Sequence, residues 1–158
     1  MIRILDDVLP DPIAYLAAAR RRTYGDVKAG ADTFKGISIC GRSDVARVAE
    51  EQTGGVTALS FFRRSPEGQV EPNYIHSDEQ MGDFTGIYYL NPDPPEGDGT
   101  SFWKRQGAAL EHTQLVPARF NRLVLFPSHL LHSRALYDNY GHGDSARLIQ
   151  VIFLRVKA

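Results

Sequence analysis

The run R-L-I-Q-V-I-F-L-R-V at residues 147–156 is rich in branched and aromatic side chains, as buried β-strands are. It is the last of several short runs of this kind, and clusters of Gly, Pro and Asp separate them. The earlier runs lie at residues 56–63, 70–76, 83–90, 100–104 and 122–126. Repeated short strands with turn signals between them predict an antiparallel sandwich or barrel over about residues 56–158.

The residues before this β-core have a helical pattern. The dipeptide Asp11-Pro12 supplies an N-cap and a suitable first helical residue, so we expect a helix that runs to about Arg22. A second short helix is expected over residues 43–52. The predicted architecture is one domain, residues 1–158, in which a helical N-terminal part of about residues 1–55 packs on a mainly β core.

Composition and charge exclude some classes of function. The 158 residues contain 18 Lys and Arg against 19 Asp and Glu, a formal net charge of −1, which argues against an extended nucleic-acid track. The single cysteine, Cys40, cannot form an internal disulfide, and the stretch M-I-R-I-L-D-D-V-L-P at residues 1–10 lacks the apolar run of a signal peptide. No window resembles a membrane span. We therefore expect a cytoplasmic protein.

The stretch N-Y-I-H-S-D-E at residues 73–79 puts a histidine and a carboxylate two positions apart in a segment predicted to be extended. Alternation along a strand places Tyr74, His76 and Asp78 on one face. Because burial of an imidazole and a carboxylate without partners is costly, this face is expected to border a cavity or to hold a ligand.

A third ligand for a metal would come from P-S-H-L-L-H-S-R at residues 127–134, which offers His129 and His132. Two imidazoles and one carboxylate form the facial triad of non-haem Fe(II) oxygenases, which leaves coordination positions open. Zinc can use the same ligands. Arg147 favours the oxygenase, because a guanidinium at the start of an apolar strand can bind a carboxylate of a dicarboxylate cosubstrate bidentately.

The chain carries, in this order, H-S-D at 76–78, T-G-I-Y-Y-L-N at 85–91, G-D-G-T-S-F at 97–102, L-V-L-F-P-S-H-L-L-H at 123–132, and Arg147. These five motifs resemble those of the Fe(II)- and 2-oxoglutarate-dependent dioxygenases. The resemblance covers most of the chain. The sequence I-Y-Y-L-N at residues 87–91 is similar to the equivalent strand of prolyl hydroxylases. The N-terminal L-D-D-V-L-P-D-P-I-A-Y-L and F-K-G-I-S resemble a microbial and viral branch of the superfamily.

The resemblance implies a double-stranded β-helix, or jelly roll, that uses Fe(II), 2-oxoglutarate and O2 to hydroxylate a C–H bond, with release of succinate and CO2. It implies that iron is bound by His76, Asp78 and His132. The ligand in relatives occupies the place of His132, and His129 is the alternative. His112 and His142 are expected at the surface.

The resemblance also implies a cosubstrate site, in which Arg147 pairs with the distal carboxylate of 2-oxoglutarate. Tyr89 shares a strand face with Thr85 and is a candidate to hydrogen-bond that carboxylate, and Tyr74 is a second candidate. Many relatives carry a hydroxyl residue two or four positions after the arginine, where this chain has Ile149 and Val151. Another residue is then needed to make that contact.

The substrate side is less defined. Trp103, Arg105 and Arg134 are candidates to border the mouth of a site for a small-molecule or peptidyl substrate. Two other classes of function fit parts of the pattern. A jelly-roll binding or structural module explains the strands but not the clustered ligands, and a cupin-like zinc or iron enzyme would use Arg147 to bind its substrate directly. The sequence does not determine the oligomeric state.

Overall fold

The computed structural model describes residues 1–72 and 74–157. Two α-helices, α1 (Pro12–Arg20) and α2 (Asp44–Thr53), and a 3-10 helix at Gly143–Ser145 accompany the strands. The strands are β1 (Arg3–Leu5), β2 (Gly25–Ala29), β3 (Asp32–Cys40), β4 (Val56–Ser65), β5 (Phe84–Tyr89), β6 (Gly99–Gln106), β7 (Ala109–Pro117), β8 (Arg122–Pro127), β9 (Leu131–Arg134) and β10 (Arg147–Arg155).

The strands form two antiparallel sheets. The major sheet has seven strands in the order β1-β8-β5-β10-β4-β3-β2, and the minor sheet has three in the order β7-β6-β9. Residues of both sheets, including Phe102 of β6, Val116 of β7 and Phe126 of β8, share one buried hydrophobic cluster, so the sheets face each other. The protein is mainly β with antiparallel sheets, in agreement with the predicted jelly roll.

Strand β10 lies at the centre of the major sheet, between β5 and β4, and presents alternate residues to its two faces. Leu148, Ile152 and Leu154 belong to the larger hydrophobic cluster, which also contains residues of both helices: Leu16 and Ala19 of α1, and Val45, Ala46 and Ala49 of α2. The intervening Ile149 and Val151 belong to the cluster between the sheets. One strand therefore serves two cores, which explains why Gln150 alone interrupts the apolar residues between Arg147 and Arg155.

Both predicted helices are present, the first with its expected N-cap Asp11 and the second with Ser43 as its N-cap. The Asp11 carboxylate accepts a hydrogen bond from the Ala14 amide at 3.2 Å, and the Ser43 hydroxyl accepts one from the Ala46 amide at 3.2 Å. Helix α1 ends at Arg20, slightly before the predicted end. Within the described residues, neither helix has the length and apolar character required to span a bilayer.

The structure differs from the prediction in several places, and strands β7 and β9 are among the elements that were not predicted. Residues 1–55 contain strands β1, β2 and β3 in addition to the two helices, and β3 pairs with β4 to extend the major sheet. The run at residues 70–76 is not a strand where the structure describes it, and residue 73 lies outside the described residues. Where the structure describes this run, its β-pairing is an isolated antiparallel bridge between His76 and His132. Pro72 has no N–H to donate to a ladder, which helps to explain this difference.

Candidate active site

His76 and His132 lie opposite each other in an isolated antiparallel bridge. The His76 amide donates to the His132 carbonyl at 3.0 Å, and the His132 amide donates to the His76 carbonyl at 2.9 Å. Two residues further on, the Asp78 amide donates to the Ser128 carbonyl at 2.8 Å. These bonds hold the segment that carries His76 and Asp78 against the start of β9, which carries His132.

The side chains of the three residues converge. Nε2 of His132 lies 3.0 Å from Oδ2 of Asp78, and Nε2 of His76 lies 3.4 Å from Oδ1 of the same carboxylate. One potential ligand atom from each residue lies within 4.8 Å of the others. His132 and Asp78 are largely buried, whereas His76 is about a third exposed. The site is therefore open on the side of His76.

Each imidazole is oriented by a backbone carbonyl. Nδ1 of His76 lies 2.9 Å from the Tyr74 carbonyl, and Nδ1 of His132 lies 3.0 Å from the Leu130 carbonyl. A carbonyl oxygen only accepts, so Nδ1 carries the proton and the lone pair of a neutral imidazole is on Nε2. Both Nε2 atoms face the Asp78 carboxylate, so each donates to it when protonated and offers its lone pair to a metal ion when neutral. This is the arrangement required of a two-histidine, one-carboxylate metal site.

The electrostatics of the metal-free site favour an ionised Asp78. Burial opposes its ionisation, but hydrogen bonds from His132 and His76 outweigh burial and hold its pKa well below the usual range. The hydrogen bond to Asp78 raises the pKa of His76 above its ordinary value. An ionised Asp78 between two imidazoles is a negative charge that a bound cation would compensate.

Two hydroxyl groups behind Asp78 were not identified from the sequence. Oγ1 of Thr85 donates to Oδ2 of Asp78 at 3.3 Å and lies 2.9 Å from Oγ of Ser128. Thr85 and Ser128 are both 1% exposed. Alternation along β5 places Thr85 on the inner face, but nothing in the sequence shows which inner residue meets Asp78.

Arg147 is buried at the start of β10, where its Nε lies 3.4 Å from Oδ1 of Asp98. The Asp98 carboxylate also accepts hydrogen bonds from the Gly99 amide at 2.8 Å and the Tyr140 hydroxyl at 2.7 Å. Among the described residues, no hydrogen bond reaches Nη1 or Nη2 of Arg147. Arg147 lines a cavity, so these nitrogens are the part of the guanidinium available to a ligand.

Two further arginines, Arg63 of β4 and Arg134 of β9, share a buried carboxylate. Oε1 of Glu71 lies 3.2 Å from Nε of Arg63 and 3.5 Å from Nη1 of Arg134. Oε2 of Glu71 accepts hydrogen bonds from Gln69 at 2.8 Å and from Asn139 at 2.9 Å. All acceptor positions of Glu71 are therefore engaged, and its contacts fix both guanidinium groups.

A cavity of about 590 Å³ connects these groups. It is lined by the His76, Asp78 and His132 cluster and by the three arginines. The minor sheet covers the inner face of the major sheet around β5 and β8. On the other side of β10, the inner face of β4, β3 and β2 is a wall of the cavity. The apolar residues of that wall include Phe34, Ile37, Ile39, Leu59 and Phe61.

The other predicted site residues lie at different distances from this cavity. Tyr74 lines it, is 55% exposed, and has its ring 4.8 Å from the His76 ring. Tyr89 is buried, and its hydroxyl is hydrogen-bonded to Thr100, which lines the cavity. Trp103 donates to the cavity-lining Ser133 at 3.0 Å. Arg105 is exposed near the end of β6 and is not among the lining residues that the structure describes.

The remaining histidines lie apart from the cluster of His76, Asp78 and His132. His129 is exposed in the turn between β8 and β9, so its position differs from that of the buried His132. His112 is exposed and packs edge to face against Trp103. His142 is exposed, and its Nε2 lies 3.1 Å from Oε2 of Glu67. The structure thus brings together His76, Asp78 and His132, and not His129.

No protein-family model matches the chain, and no curated protein matches its sequence. Solved structures match its fold. The non-heme α-ketoglutarate-dependent epimerase SnoN of nogalamycin biosynthesis superposes with a TM-score of 0.67 at 16% identity, over 96% of this chain and 76% of that chain. A second structure of that epimerase is a complex with Fe³⁺, α-ketoglutarate and nogalamycin RO.

Two prolyl hydroxylases also share the fold. The prolyl-4-hydroxylase of Pseudomonas putida has a TM-score of 0.64 at 16% identity, over 98% of this chain and 92% of that chain. The prolyl hydroxylase of Trichoplax adhaerens, bound to a hypoxia-inducible-factor peptide, has a TM-score of 0.63 at 13% identity, over 97% and 83%. The fold is therefore that of the Fe(II)/2-oxoglutarate oxygenases, which confirms the fold that the sequence resemblance implies.

Proposed function

We propose that this protein is an Fe(II)- and 2-oxoglutarate-dependent dioxygenase with a double-stranded β-helix as its single catalytic domain. The observation that carries the proposal is the convergence of His76, Asp78 and His132 beside a cavity that also contains Arg147. A fold of this kind hosts many functions, so the argument rests on the site. The structural relatives that depend on α-ketoglutarate support the same class.

The residues fit a divalent metal ion. Both Nε2 lone pairs and one ionised carboxylate are available, and the backbone carbonyls of Tyr74 and Leu130 fix the imidazole orientations. Three protein ligands leave part of the coordination sphere free for a cosubstrate and O2. The buried Thr85 hydroxyl holds Asp78 from behind, as groups that support metal ligands commonly do.

The metal, when bound with 2-oxoglutarate and O2, would supply the oxidation of a substrate C–H bond with release of succinate and CO2. The chain supplies position and electrostatics. Arg147 binds the distal carboxylate of 2-oxoglutarate through the terminal nitrogens that face the cavity. Tyr89 supports that site through Thr100, and Tyr74 borders the open side of the metal site beside His76.

The prime substrate is a small molecule or a peptidyl group that enters beside the apolar wall, and its hydroxylation is the proposed outcome. The wall contains Phe34, Ile39 and Phe61, and Arg134 lines the same cavity. Relatives with this fold include an epimerase, a carbocyclase and prolyl hydroxylases. The fold alone therefore leaves the oxidation outcome to experiment.

The proposal is tested with purified chain and Fe(II) under anaerobic conditions. Addition of 2-oxoglutarate is expected to produce a weak visible charge-transfer band, and admission of O2 is expected to yield succinate slowly without a prime substrate. An Asp78→Ala variant serves as the control and should give neither signal. Metal binding without any 2-oxoglutarate binding would contradict the proposal and would favour a metalloenzyme that does not use this cosubstrate.

A further inference from the structure

The cavity has more room than the cosubstrate requires. Its volume of about 590 Å³ lies within the range of pockets that hold drug-sized ligands, whereas 2-oxoglutarate is a small diacid. Arg147 begins β10, and Val151 and Phe153 follow it on the same face of that strand and also line the cavity. The cavity therefore extends along β10 from a cationic residue to apolar ones, and its apolar part is available to the prime substrate.

The apolar wall is built from rows of side chains that cross the strands. The register sets Phe61 of β4 opposite Ile39 of β3 and opposite Val151 of β10. The next row pairs Leu59 with Phe153. All five side chains line the cavity. A ligand that lies on this wall therefore meets hydrocarbon and aromatic groups across the width of three strands.

The apolar wall lies next to the residues proposed to bind the metal. The pairing of β5 with β10 sets Thr85 opposite Phe153, about 5 Å away in the sheet. The Thr85 hydroxyl donates to Oδ2 of Asp78 at 3.3 Å. A molecule that packs on Phe153 and Leu59 is therefore brought beside a metal ion that Asp78 holds.

The apolar wall offers few partners to a peptide backbone. Strand β4 pairs with β10 and β3, and strand β3 pairs with β4 and β2, so the main chain of both strands is engaged in the sheet. These strands present side chains to the cavity. A peptide laid on the wall would lose water from its own N–H and C=O groups without gaining hydrogen bonds, which is unfavourable.

The charges of the site leave no cation for an anionic substrate. Three guanidinium groups pair with two carboxylates, and the distal carboxylate of 2-oxoglutarate balances the remaining positive charge. The five side chains are those of Arg63, Arg134, Arg147, Glu71 and Asp98. Asp78 and the metal-binding carboxylate of 2-oxoglutarate balance the two charges of Fe(II). The carboxylate of Glu79, which also lines the cavity, is exposed, so water and salt screen it.

We infer that the prime substrate is an uncharged small molecule with an aromatic or aliphatic body that packs on Ile39, Leu59 and Phe61. This inference rests on the proposed function and names its substrate class. It also accounts for apolar surface that the fold leaves uncovered, since Ile39 is 57% exposed in the absence of a ligand. The neutral balance of the loaded site and the apolar wall select against charged molecules and against peptides.

The test uses two fluorescent probes that share one ring system. N-phenyl-1-naphthylamine is neutral, and 8-anilino-1-naphthalenesulfonate adds a sulfonate to the same skeleton. Fluorescence titration of anaerobic protein loaded with Fe(II) and 2-oxoglutarate measures Kd for both. The neutral probe should bind about tenfold or more tightly than the sulfonate, because the anion has no partner in the loaded site. Equal or tighter binding of the sulfonate would overturn the inference.

A peptide competitor tests the second part of the inference. The capped dipeptide N-acetyl-diphenylalanine amide carries two aromatic rings and uncharged peptide groups. It should displace the neutral probe poorly, because its peptide groups find no partners on the apolar wall. Displacement at the concentration at which the neutral probe itself binds would overturn the inference in favour of a peptidyl substrate.

A matched pair of exposed isoleucines shows whether the probe lies on the apolar wall. Ile39 lines the cavity and is 57% exposed, and Ile13 of α1 lies outside the lining residues that the structure describes and is 61% exposed. Ile39→Thr should weaken binding of the neutral probe about threefold or more, because apolar contact is lost. Ile13→Thr should leave it unchanged. Equal affinities in the two variants would overturn the inference, and a thermal melt verifies that each is folded.

A paramagnetic ion measures the distance of the probe from the metal site. Mn(II) accepts carboxylate and imidazole ligands and broadens the NMR signals of nearby protons, and diamagnetic Zn(II) is the control. Signals of the bound neutral probe should broaden with Mn(II) and not with Zn(II). Binding without this broadening would overturn the inference. Broadening in a chain that does not bind 2-oxoglutarate would show that the proposed function fails while the apolar ligand site beside the metal stands.

Discussion

Arg147 and Asp98 form a buried ion pair, with Nε of the arginine 3.4 Å from Oδ1 of the aspartate. Removal of Arg147 therefore has two consequences, loss of a cation from the cavity and loss of the partner of a buried carboxylate. Asp98 keeps its hydrogen bonds from Tyr140 and Gly99, which soften the second effect. A binding measurement and a stability measurement can separate the two.

Arg147→Ala should weaken 2-oxoglutarate binding about thirtyfold or more, because loss of a charged partner at a desolvated site costs about 2–5 kcal/mol. Iron affinity should change little, since Arg147 is not a ligand. Arg147→Lys should recover only part of the loss, because an ammonium keeps the charge but not the planar fork. Calorimetric titration of Fe(II)-loaded protein measures the affinities.

The stability effect has a matched control in the double variant Arg147→Met/Asp98→Asn. It removes both charges of the pair, so it should melt at a higher temperature than Arg147→Ala while 2-oxoglutarate binding stays weak. If the folded fraction of Arg147→Ala binds 2-oxoglutarate as tightly as the wild type does, Arg147 is only a structural partner of Asp98.

His76→Ala, Asp78→Ala and His132→Ala should each abolish stoichiometric Fe(II) binding, because each removes one of the three converging side chains that are proposed to bind the metal. His129→Ala should retain it, since His129 is exposed in the turn before β9. Metal content after anaerobic loading and desalting gives the stoichiometry. Loss of metal in His129→Ala together with retention in His132→Ala would show that the ligand assignment is wrong.

Thr85→Val tests the hydroxyl behind Asp78. The change keeps the shape of the side chain but removes a donor to the Asp78 carboxylate and a partner of Ser128. Fe(II) affinity should fall about 10- to 100-fold, as for other groups that orient metal ligands. Competition with a chelator of known affinity measures the change. An affinity equal to that of the wild type would mean that Asp78 is held by its backbone alone.

Above neutral pH, the stability of the metal-free protein should fall as pH rises, whereas the affinity of the protein for Fe(II) should increase. In the metal-free protein, the pKa of His76 is raised above 6.5, so its contribution to stability is present below 6.5 and is lost as pH rises through the folded-state pKa. Asp78 has a lowered pKa, so its contribution is present above 3.8 and is lost as pH falls toward the folded-state pKa. Fe(II) requires unprotonated Nε2 atoms, so its affinity should rise with pH.

Thermal melts at about pH 6 and about pH 8 check this expectation. The metal-free wild type should lose more stability over that interval than metal-free His76→Ala, which lacks the titrating imidazole. Equal losses in both proteins would show that the pair with Asp78 does not stabilise protonated His76. Fe(II) titrations at the same two pH values test the metal side of the prediction.

Gly82→Ala tests how the segment after Asp78 is held. A Cβ at Gly82 would lie 2.6 Å from the Leu154 carbonyl oxygen, and the adjacent Asp83 amide donates to that oxygen at 2.7 Å. The substitution should lower the melting temperature and weaken Fe(II) binding, because the segment must move away from β10. Gly41→Ala is the control, since a Cβ there meets nothing within 4 Å. An unchanged melting temperature and Fe(II) affinity in Gly82→Ala would show that the segment tolerates the shift.

Strands with a regular pattern were predictable, and those with an interrupted pattern were not. Gly36, with φ of +70°, lies inside β3, and the pairing of β3 with β2 is irregular there. The apolar residues Phe34 and Ile37 are therefore three positions apart, which breaks the two-residue alternation that indicates a strand. Strand β7 was missed because only Val116 is buried in it, so it has no apolar alternation. Local sequence carries no signal for a strand whose stability comes from its neighbours.

Only part of the candidate site was predictable from the sequence. His76 and Asp78 were identifiable because they are close in sequence, and the ordered motifs pointed to His132. Asp98 as the partner of Arg147, and Glu71 as the partner of Arg134, come from segments distant in the sequence. Such pairings depend on the register between strands, which the sequence pattern did not determine.

The segment between β4 and β5 has a further consequence for stability. It is tied to the start of β9 by the bridge between His76 and His132 and by the bond between Asp78 and Ser128. A metal ion on these side chains would act as a reversible crosslink that closes the long loop between the two segments, much as a disulfide does. The melting temperature should then rise with the concentration of free Fe(II), because a ligand that binds only the folded chain stabilises it by mass action.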